Sequence, residues 1–511
     1  MKKIYIGLTA LLFSGFTYAQ DAVVKKYANM ITAEDARKHL SIIASDAFEG
    51  RETGKPGATM AANYIAAEFK KLGLLAPVKG SYFLDIPLID PVSTVKTFII
   101  NGTSYTFRKD FYIGSFAPEV SGDKDFKANE IIFLGHKTGG NFAEELGTTD
   151  ITGKVVFLVN DGEPPRNASK RIAFIRSKRP LIIIATSASV ATALSSPNGG
   201  RGRGGFNPVL KPDDAASVLT PVFYITADVA NQLIINSGET FETFKASGDA
   251  TGMQANQNIK ADIAATISTT VTDVKAVDVL GYLPGTDLKN EVLVFSAHYD
   301  HIGLTTSGTD KVNNGADDDG SGTTGVLEIA KAFAQAKKDG HGPRRSILFL
   351  GNVGEEKGLL GSEYYTDHPV FPLANTITDL NIDMIGRVGQ EYIGKPDSAN
   401  YVYVIGSAML SQELHDAGEA NNKKYTKLLL DYKYDDPNDP NSFYTRSDHY
   451  NFAKHGVPII FYFNGVHADY HKPGDEVSKI NFPLLAKRAQ LVFYTGWDLA
   501  NRDKRPVVDA K

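Results

Sequence analysis

The sequence contains 511 residues and no cysteine. This absence excludes disulfide bonds, thiolate metal ligands and cysteine nucleophiles, so any metal ion must be held by histidine, aspartate and glutamate. An excess of positive charge is also lacking, because the formal net charge is −5 at pH 7. The composition therefore gives no electrostatic reason to expect a nucleic acid or an anionic membrane surface as a partner.

Long hydrophobic runs are scarce, and the one at the N-terminus is short. The composition, with 42% hydrophobic and 22% charged residues, is that of an ordinary globular protein. Lys2 and Lys3 precede the apolar run Ile4–Phe16, and Ala19 offers a small residue at a plausible cleavage site. Because this run is shorter than the ~20 residues that span a bilayer, we interpret residues 1–19 as a secretory signal peptide. We expect an exported protein, periplasmic or secreted, with no membrane anchor in the mature chain.

The pattern of hydrophobic residues changes along the chain. Residues 32–75 have a helical period, and a β-rich stretch follows them. From Val277 onward, short apolar strands alternate with amphipathic helices, which predicts an α/β fold with a mixed, mostly parallel sheet flanked by helices. We therefore predict one discontinuous domain, residues 20–95 and 262–511, interrupted by a β-rich insert, residues 96–261.

Histidine and aspartate residues follow the first predicted strand of this region. The strand Val292–Ala297 runs into His298, and Asp300 lies two residues further on, so its carboxylate can orient the imidazole. The run Asp317-Asp318-Asp319 then precedes a predicted helix whose apolar residues indicate that it is buried. Three adjacent aspartates repel one another unless solvent or a cation compensates. A solvated acidic turn is one interpretation, but the buried helix beside it favours a cation.

Later predicted strands also end in carboxylates. Glu355 and Glu356 follow one strand and Asp383 follows the next, while a late loop carries His467 and His471. Of two adjacent glutamates, one can bind a metal ion while the other stays free as an acid or base. Each residue alone would be interpreted as structural. Together they indicate a site with only nitrogen and oxygen ligands, suited to Zn²⁺, Mn²⁺ or Co²⁺, and the absence of cysteine favours a catalytic zinc site.

The order of these motifs resembles the co-catalytic zinc aminopeptidases of the bacterial leucyl aminopeptidase type. The shared motifs are His-x-Asp, Gly-x-Asp-Asp-x-x-Ser-Gly, Glu-Glu, Asp-Met-Ile-Gly-Arg and His-x-Pro-x-Asp, and they lie between Val277 and about Arg502. The early segment Ser45–Arg51 belongs to the resemblance as well. The resemblance implies a zinc exopeptidase-like fold and hydrolysis of peptide bonds by a water that two zinc ions activate.

The resemblance also implies a role for individual residues. It assigns five metal ligands, which are His298 and Asp383 for one ion, Glu356 and His471 for the other, and Asp318 as the bridge between them. It further implies that Glu355 is the general base, that Asp300 orients the first histidine, and that Tyr444 helps to stabilise the oxyanion. His301 and His449 are expected near the site, but not as ligands.

The β-rich insert resembles the protease-associated domain found in many of these peptidases. The matching segments are Gly153-Lys154-Val155-Val156 and Thr220–Ile225. In relatives this domain covers the cleft or contributes to substrate contacts. The insert also contains a glycine-rich loop that carries Arg201 and Arg203. This loop is either a surface loop without a role in the site, or one of its two arginines reaches over the cleft and binds a substrate carboxylate.

The resemblance leads us to expect an exported metallo-aminopeptidase that acts on peptides with a free N-terminus. A carboxypeptidase or dipeptidase on the same scaffold is the main alternative. A glutaminyl cyclase is less favoured because it uses a single metal ion. A non-catalytic, receptor-like protein is disfavoured because such relatives lose metal ligands or the catalytic glutamate, and this chain retains all of them. The preferred substrate residue, the native metal and the oligomeric state do not follow from the sequence.

Overall fold

A computed structural model of the protein describes residues 21–114, 116–118, 120–134, 142–161, 164–195, 206–213, 219–246, 256–436 and 438–509. The predicted signal peptide and the loop with Arg201 and Arg203 lie outside the described residues. The chain forms two compact units. The first comprises the described residues up to Ile86 and those from Lys275 onward, and the second comprises Pro87–Val274.

Two long strands cross from one unit into the other along the chain. They are Phe83–Ile100 and Gln257–Leu283. The boundaries expected from the sequence, 95/96 and 262, therefore fall inside continuous strands. A change in the local residue pattern does not reveal such a crossing, because both parts of each strand share the same β-rich composition.

The first unit contains a mixed, mostly parallel sheet, which confirms the predicted α/β fold class. Its strands, in spatial order, are Leu429–Asp431, Tyr401–Ile405, Ile459–Phe463, Thr376–Ile382, Leu288–His298, Arg345–Asn352 and the last part of Gln257–Leu283. The last of these strands is antiparallel to its neighbour, and so is the pair Tyr401–Ile405 and Ile459–Phe463. Every residue of Thr376–Ile382 and of Arg345–Asn352 is buried, because helices cover both faces of a parallel sheet.

Helices of the first unit pack around this sheet. They are Ala33–Ile43, Pro56–Leu72, Gly320–Lys338, Leu360–Asp367, Gln412–Asn421, His449–Lys454 and Phe482–Asn501. Shorter helical turns are Asp46–Arg51, Glu355–Lys357, Leu373–Asn375, Gln390–Tyr392, Asn422–Thr426, Phe443–Thr445 and Val477–Lys479. In the second long helix, Ala61, Ile65 and Phe69 form the buried face that their spacing predicts, and Gly73 ends the helix at a φ of 81°.

The second unit is rich in strands and has its own core. Its strands are Phe83–Ile100, Thr103–Ser104, Phe111–Ile113, Gly122–Phe133, Val155–Val159, Ile182–Thr186, Val209–Leu210, Val222–Ile225 and the first part of Gln257–Leu283. Its helices are Phe142–Leu146, Pro165–Ser177, Val190–Ser195, Ala227–Leu233 and Phe241–Ala246, with a short turn at Ile235–Ser237. The ring of Phe98 lies 4.7 Å from the rings of both Phe111 and Phe223, so an aromatic cluster lies at the centre of this core.

No helix among the described residues is both long enough and apolar enough to cross a bilayer.

Candidate metal centre

Three parallel strands of the first unit end at the same edge of the sheet. The central strand, Leu288–His298, pairs in parallel with Arg345–Asn352 on one side and with Thr376–Ile382 on the other. The run Glu355-Glu356 forms a short turn shortly after the second of these strands, and Asp383 directly follows the third. Side chains at the carboxyl ends of neighbouring parallel strands converge, so the sheet itself brings these motif residues together.

One cluster of metal-binding groups surrounds His298. Its Nε2 lies 3.4 Å from Asp318 Oδ1, 3.7 Å from Asp383 Oδ2 and 3.8 Å from Glu355 Oε2. The imidazole is 1% exposed, and its Nε2 has no hydrogen-bond partner among the described residues. A buried nitrogen that faces three carboxylates without a hydrogen bond is a fitting metal ligand.

A second cluster forms around Glu356. His471 Nε2 lies 3.1 Å from Glu356 Oε2 and 3.1 Å from Asp318 Oδ2. His301 Nδ1 lies 2.8 Å from Glu356 Oε1 and 3.7 Å from Asp318 Oδ2. The ligand atoms of His301, Asp318 and Glu356 are close enough together to hold one ion.

Asp318 belongs to both clusters. Its Oδ1 is directed to His298, while its Oδ2 is directed to His471. The backbone N–H of Asp318 donates to Asp475 Oδ2 at 3.1 Å, and the peptide bond that follows Asp318 is cis. The two carboxylate oxygens therefore face two separate sets of ligands, as the bridging position requires.

Asp300 connects several parts of the site. The ring nitrogen Nδ1 of His298 lies 3.1 Å from the backbone carbonyl of Asp300 and 3.7 Å from its carboxylate. The carboxylate accepts hydrogen bonds from the hydroxyl of Thr53 at 2.5 Å and from the backbone N–H of Glu355 at 3.3 Å. Asp300 thus orients His298 through its carbonyl, and its side chain holds the turn that presents Glu355.

Negative charge accumulates in this buried region. Burial raises the pKa of Glu355 well above its usual range, and Glu356 and Asp383 add to the rise by repulsion. Burial likewise raises the pKa of Asp319 well above its usual range and that of Asp448 to about 7. Repelling carboxylates in a low-dielectric site require compensation by positive charge.

The donor set fits zinc. It consists of imidazole nitrogens and carboxylate oxygens, and the chain has no thiolate to offer. Several buried atoms of this set have no hydrogen-bond partner among the described residues, namely His298 Nε2, Asp318 Oδ2 and Glu356 Oε1. Buried polar atoms without partners are costly, and one cation bound in each cluster would satisfy them.

Arg51 supports the loop that carries the aspartates. The sequence indicated this role only through the early segment Ser45–Arg51, in which Arg51 is the last residue. The side chain is 0% exposed, and its guanidinium donates to four backbone carbonyls. These acceptors are Tyr299 at 2.7 Å, Asn314 at 2.6 Å, Gly315 at 2.8 Å and Ile43 at 3.0 Å. The guanidinium of Arg51 therefore links the loop after His298 and the loop before the three aspartates to the helix Ala33–Ile43.

Replacing Arg51 with leucine should lower the free energy of unfolding by roughly 3 kcal/mol or more, because each buried carbonyl left without a donor costs about 1–3 kcal/mol. Urea unfolding at fixed zinc concentration measures this change. Lys70→Leu is a suitable control, since Lys70 is exposed on a neighbouring helix and its loss should change stability by less than about 0.5 kcal/mol. Equal stability of the two variants would contradict the proposed support.

Two tyrosines differ in their relation to this site. For Tyr470, burial raises the pKa, and the carboxylates of Asp318, Glu356 and Glu355 add to the rise. Its ring stacks on His471 at 3.9 Å between ring centroids. Sequence reasoning missed Tyr470, although its position directly before a proposed ligand was a signal.

Tyr444, the tyrosine that the motif comparison suggested, has other neighbours. Burial raises its pKa to about 12, and the groups that add to this rise are Tyr450 and Asp435. Its ring packs among apolar residues of the first unit, 5.9 Å from the ring of His449. Tyr470 therefore contacts a proposed ligand, whereas Tyr444 lies beside His449, and an oxyanion role for Tyr444 stays a prediction.

Comparison with known proteins shows which family this part of the chain resembles. Residues 278–496 match the sequence profile of peptidase family M28. A probable leucine aminopeptidase 2 of Aspergillus oryzae is 30% identical over 219 residues, which cover 38% of this chain and 38% of the relative. A probable zinc metalloprotease of Pyrenophora teres is 26% identical over 268 residues, which cover 45% of this chain and 52% of the relative. The chain thus spans between about two fifths and one half of the length of these relatives.

A solved structure shares the fold. An aminopeptidase from Aneurinibacillus sp. strain AM-1 superimposes with a TM-score of 0.53 at 18% sequence identity, over 95% of this chain and 98% of the other. This likeness confirms the predicted zinc exopeptidase-like α/β architecture. The profile match covers all five of the ligands assigned by the motif comparison, and it confirms the resemblance inferred from the order of the motifs. Residues 278–496, which include the candidate metal centre, therefore resemble peptidase family M28.

Proposed function

We propose that this protein is an exported metal-dependent aminopeptidase that hydrolyses the first peptide bond of substrates with a free N-terminus, using two zinc ions. The observation that carries the proposal is the position of Asp318, whose two carboxylate oxygens face two separate sets of ligands. Glu355, which the motif comparison makes the general base, lies beside the first set.

Similarity to named relatives supports the same activity. The relatives that share the domain include a leucine aminopeptidase and a zinc metalloprotease. Export is proposed from the N-terminal sequence, in which two lysines precede a short apolar run. We also propose that the β-rich insert is a protease-associated domain, on the basis of its matching strand segments.

Two zinc ions in this donor set would supply Lewis-acid chemistry, lowering the pKa of a water from ~15.7 towards ~7 and polarising the scissile carbonyl. Glu355 accepts the proton of the attacking water at its carboxylate and delivers it to the leaving amine. The hydrogen bond from its backbone N–H to Asp300 holds the turn that presents this carboxylate. A base that is already positioned raises the rate because its orientation does not have to be found in each reaction cycle.

Tyr470 is the residue best placed to stabilise the developing oxyanion. Its ring is held by stacking on His471, and burial together with the nearby carboxylates raises the pKa of its hydroxyl, which keeps the phenol protonated. Arg446 donates to the Tyr470 hydroxyl at 3.3 Å, which leaves the phenol proton available for the substrate. A donor aimed at the position where negative charge develops lowers the barrier more than the same donor in water.

A carboxypeptidase or dipeptidase is the second candidate, and Arg446 is the observation that favours it. Arg446 is exposed beside Tyr470, so its guanidinium could bind a substrate's C-terminal carboxylate. The similarity to a probable leucine aminopeptidase favours the aminopeptidase instead.

A panel of matched peptides tests the proposed function. We expect hydrolysis of a peptide with a free N-terminus and an amidated C-terminus, and loss of hydrolysis when the N-terminus is acetylated. We also expect a zinc chelator to abolish the activity and added zinc to restore it. Mass spectrometry of the products identifies the bond that is cleaved. Activity that survives N-terminal acetylation but disappears on C-terminal amidation would replace the aminopeptidase with the carboxypeptidase, and activity insensitive to chelation would contradict both.

A further inference from the structure

We propose that His301 is a direct ligand of the metal ion held by Glu356 and His471, binding through Nδ1. The inference rests on the proposed two-metal function and adds a histidine that the motif comparison leaves out of the ligand set. With this ligand the two ions would have unequal surroundings, because one would be bound by one histidine and the other by two.

The spacing of the donor atoms is that of ligands around one ion. Two atoms that each lie 2.0–2.1 Å from a tetrahedral zinc ion are separated by about 3.3 Å. In this cluster His301 Nδ1 lies 2.8 Å from Glu356 Oε1 and 3.7 Å from Asp318 Oδ2. The corresponding distances of His471 Nε2 are both 3.1 Å. The Nδ1 of His301 therefore lies within ligand spacing of the same two carboxylates as His471, and it faces the other oxygen of Glu356.

The orientation of His301 favours a shared ion over a hydrogen bond. Although His301 Nδ1 and Glu356 Oε1 are only 2.8 Å apart, neither atom has a hydrogen-bond partner among the described residues. At such a short distance the oxygen must lie away from the direction in which the ring nitrogen would donate. A nitrogen and an oxygen that lie side by side, without a hydrogen bond between them, are arranged as two ligands of one cation.

His449 shows what a histidine with a structural role looks like in this protein. Its Nε2 donates to the backbone carbonyl of Tyr444 at 2.8 Å, and its ring stacks on Phe461. His301 is equally buried, at 0% exposure, but its ring has no such hydrogen bond among the described residues. Its Nδ1 lies instead beside the carboxylates of Glu356 and Asp318, where a metal ligand is expected.

The backbone holds the His301 ring in this position. The N–H of His301 donates to the carbonyl of Arg51 at 3.1 Å. Gly315 passes directly over the ring, since a Cβ at this position would lie 2.6 Å from both Cγ and Cδ2 of the imidazole. Gly315 also has a φ of 55°, which a residue without a side chain adopts easily. The absence of a side chain at position 315 therefore makes room for the imidazole next to the carboxylates.

An additional ligand has a consequence for the two ions. The ion near His298 would have His298, Asp383 and the bridging Asp318, which leaves more of its coordination sphere open to water and substrate. The ion near Glu356 would have two imidazoles and two carboxylates. We expect the second ion to bind more tightly and to be removed last by a chelator.

The test introduces a single cysteine at position 301 and follows cobalt binding. Because the chain contains no cysteine, any thiolate-to-cobalt charge-transfer absorption in the near-ultraviolet must come from the introduced residue. We expect His301→Cys to show this absorption, as His471→Cys should, whereas His449→Cys should not. Absorption from His471→Cys but not from a folded His301→Cys would overturn the proposal, because the thiolate would then lie near the ion without binding it.

Measurements that do not depend on the cysteine variants complete the test. In the unsubstituted protein loaded with two zinc ions, X-ray absorption at the zinc edge should find three imidazoles shared between the two ions, and two imidazoles would overturn the proposal. In His301→Ala, the affinity for one of the two ions should fall by more than the ~10–100-fold that loss of an outer partner causes. A protein that binds no zinc at all would instead contradict the proposed function, so the two failures are distinguishable.

Discussion

Replacing Glu355 with glutamine is expected to reduce kcat by about 10²–10⁴-fold while both zinc ions remain bound. The amide has nearly the same shape as the carboxylate, but it cannot accept the proton of the attacking water. The ligands assigned to the two ions, including Asp318 and Glu356, are unchanged in this variant. The measurement combines kcat on a peptide with a free N-terminus and the zinc content per chain by elemental analysis.

A second glutamate serves as the control for this substitution. Glu34 is exposed and forms a surface pair with Lys38 at 2.9 Å, a kind of pair that contributes little to stability. Glu34→Gln should therefore keep full activity and full zinc content. Near-normal activity of Glu355→Gln would remove Glu355 from the mechanism. A loss of zinc together with activity would make it a ligand instead of a base.

Replacing Asp318 with asparagine is expected to have the larger effect on metal binding. The asparagine side chain is of nearly the same size, but only one of its two terminal atoms could act as a ligand, so the link between His298 and His471 would be broken. We expect fewer than two zinc ions per chain. Since a bound ion contributes several kcal/mol to stabilising the transition state, and each 1.36 kcal/mol is a factor of ten, the rate should fall by at least about 10³-fold.

The stability of Asp318→Asn should also respond less to zinc. A ligand that binds only the folded state stabilises it by about 4 kcal/mol at a concentration 1,000 times its Kd, so the unsubstituted protein should show a clear rise in Tm when zinc is added. Thermal unfolding with and without zinc measures this, with Asp310→Asn as the control because Asp310 is exposed. Two tightly bound ions in Asp318→Asn would contradict the bridging role.

Much of this site could be predicted because its chemistry lies at the ends of apolar strands. The runs before His298 and Asp383 are buried along most of their length, as expected of strands that are covered on both faces. Parallel strands end at one edge of a sheet, so motifs far apart in the sequence were expected to meet there. The N–H partner of His298 could be predicted only in part, since its hydrogen bond goes to the carbonyl of Asp300 and not to the carboxylate.

Other features depend on contacts between segments that are distant in the sequence. Arg51 acts through carbonyls of loops that lie more than two hundred residues away, and no local pattern around it indicates which carbonyls it binds. The choice between Tyr444 and Tyr470 likewise depends on which ring contacts a proposed ligand, and that ring is Tyr470, which stacks on His471. Local spacing can indicate that a tyrosine is near a motif, but not the direction of its side chain.

The residue pattern alone indicates the α/β fold class, a site of nitrogen and oxygen ligands, and the order of the candidate ligands along the chain. Hydrophobic periodicity and the absence of cysteine carry this information without any tertiary contact. The folded structure was needed to show that the two oxygens of Asp318 face different groups of candidate ligands and that the ring of His301 lies against Glu356. The physical reason is that both results depend on side-chain direction across separate loops, which packing determines and residue spacing does not.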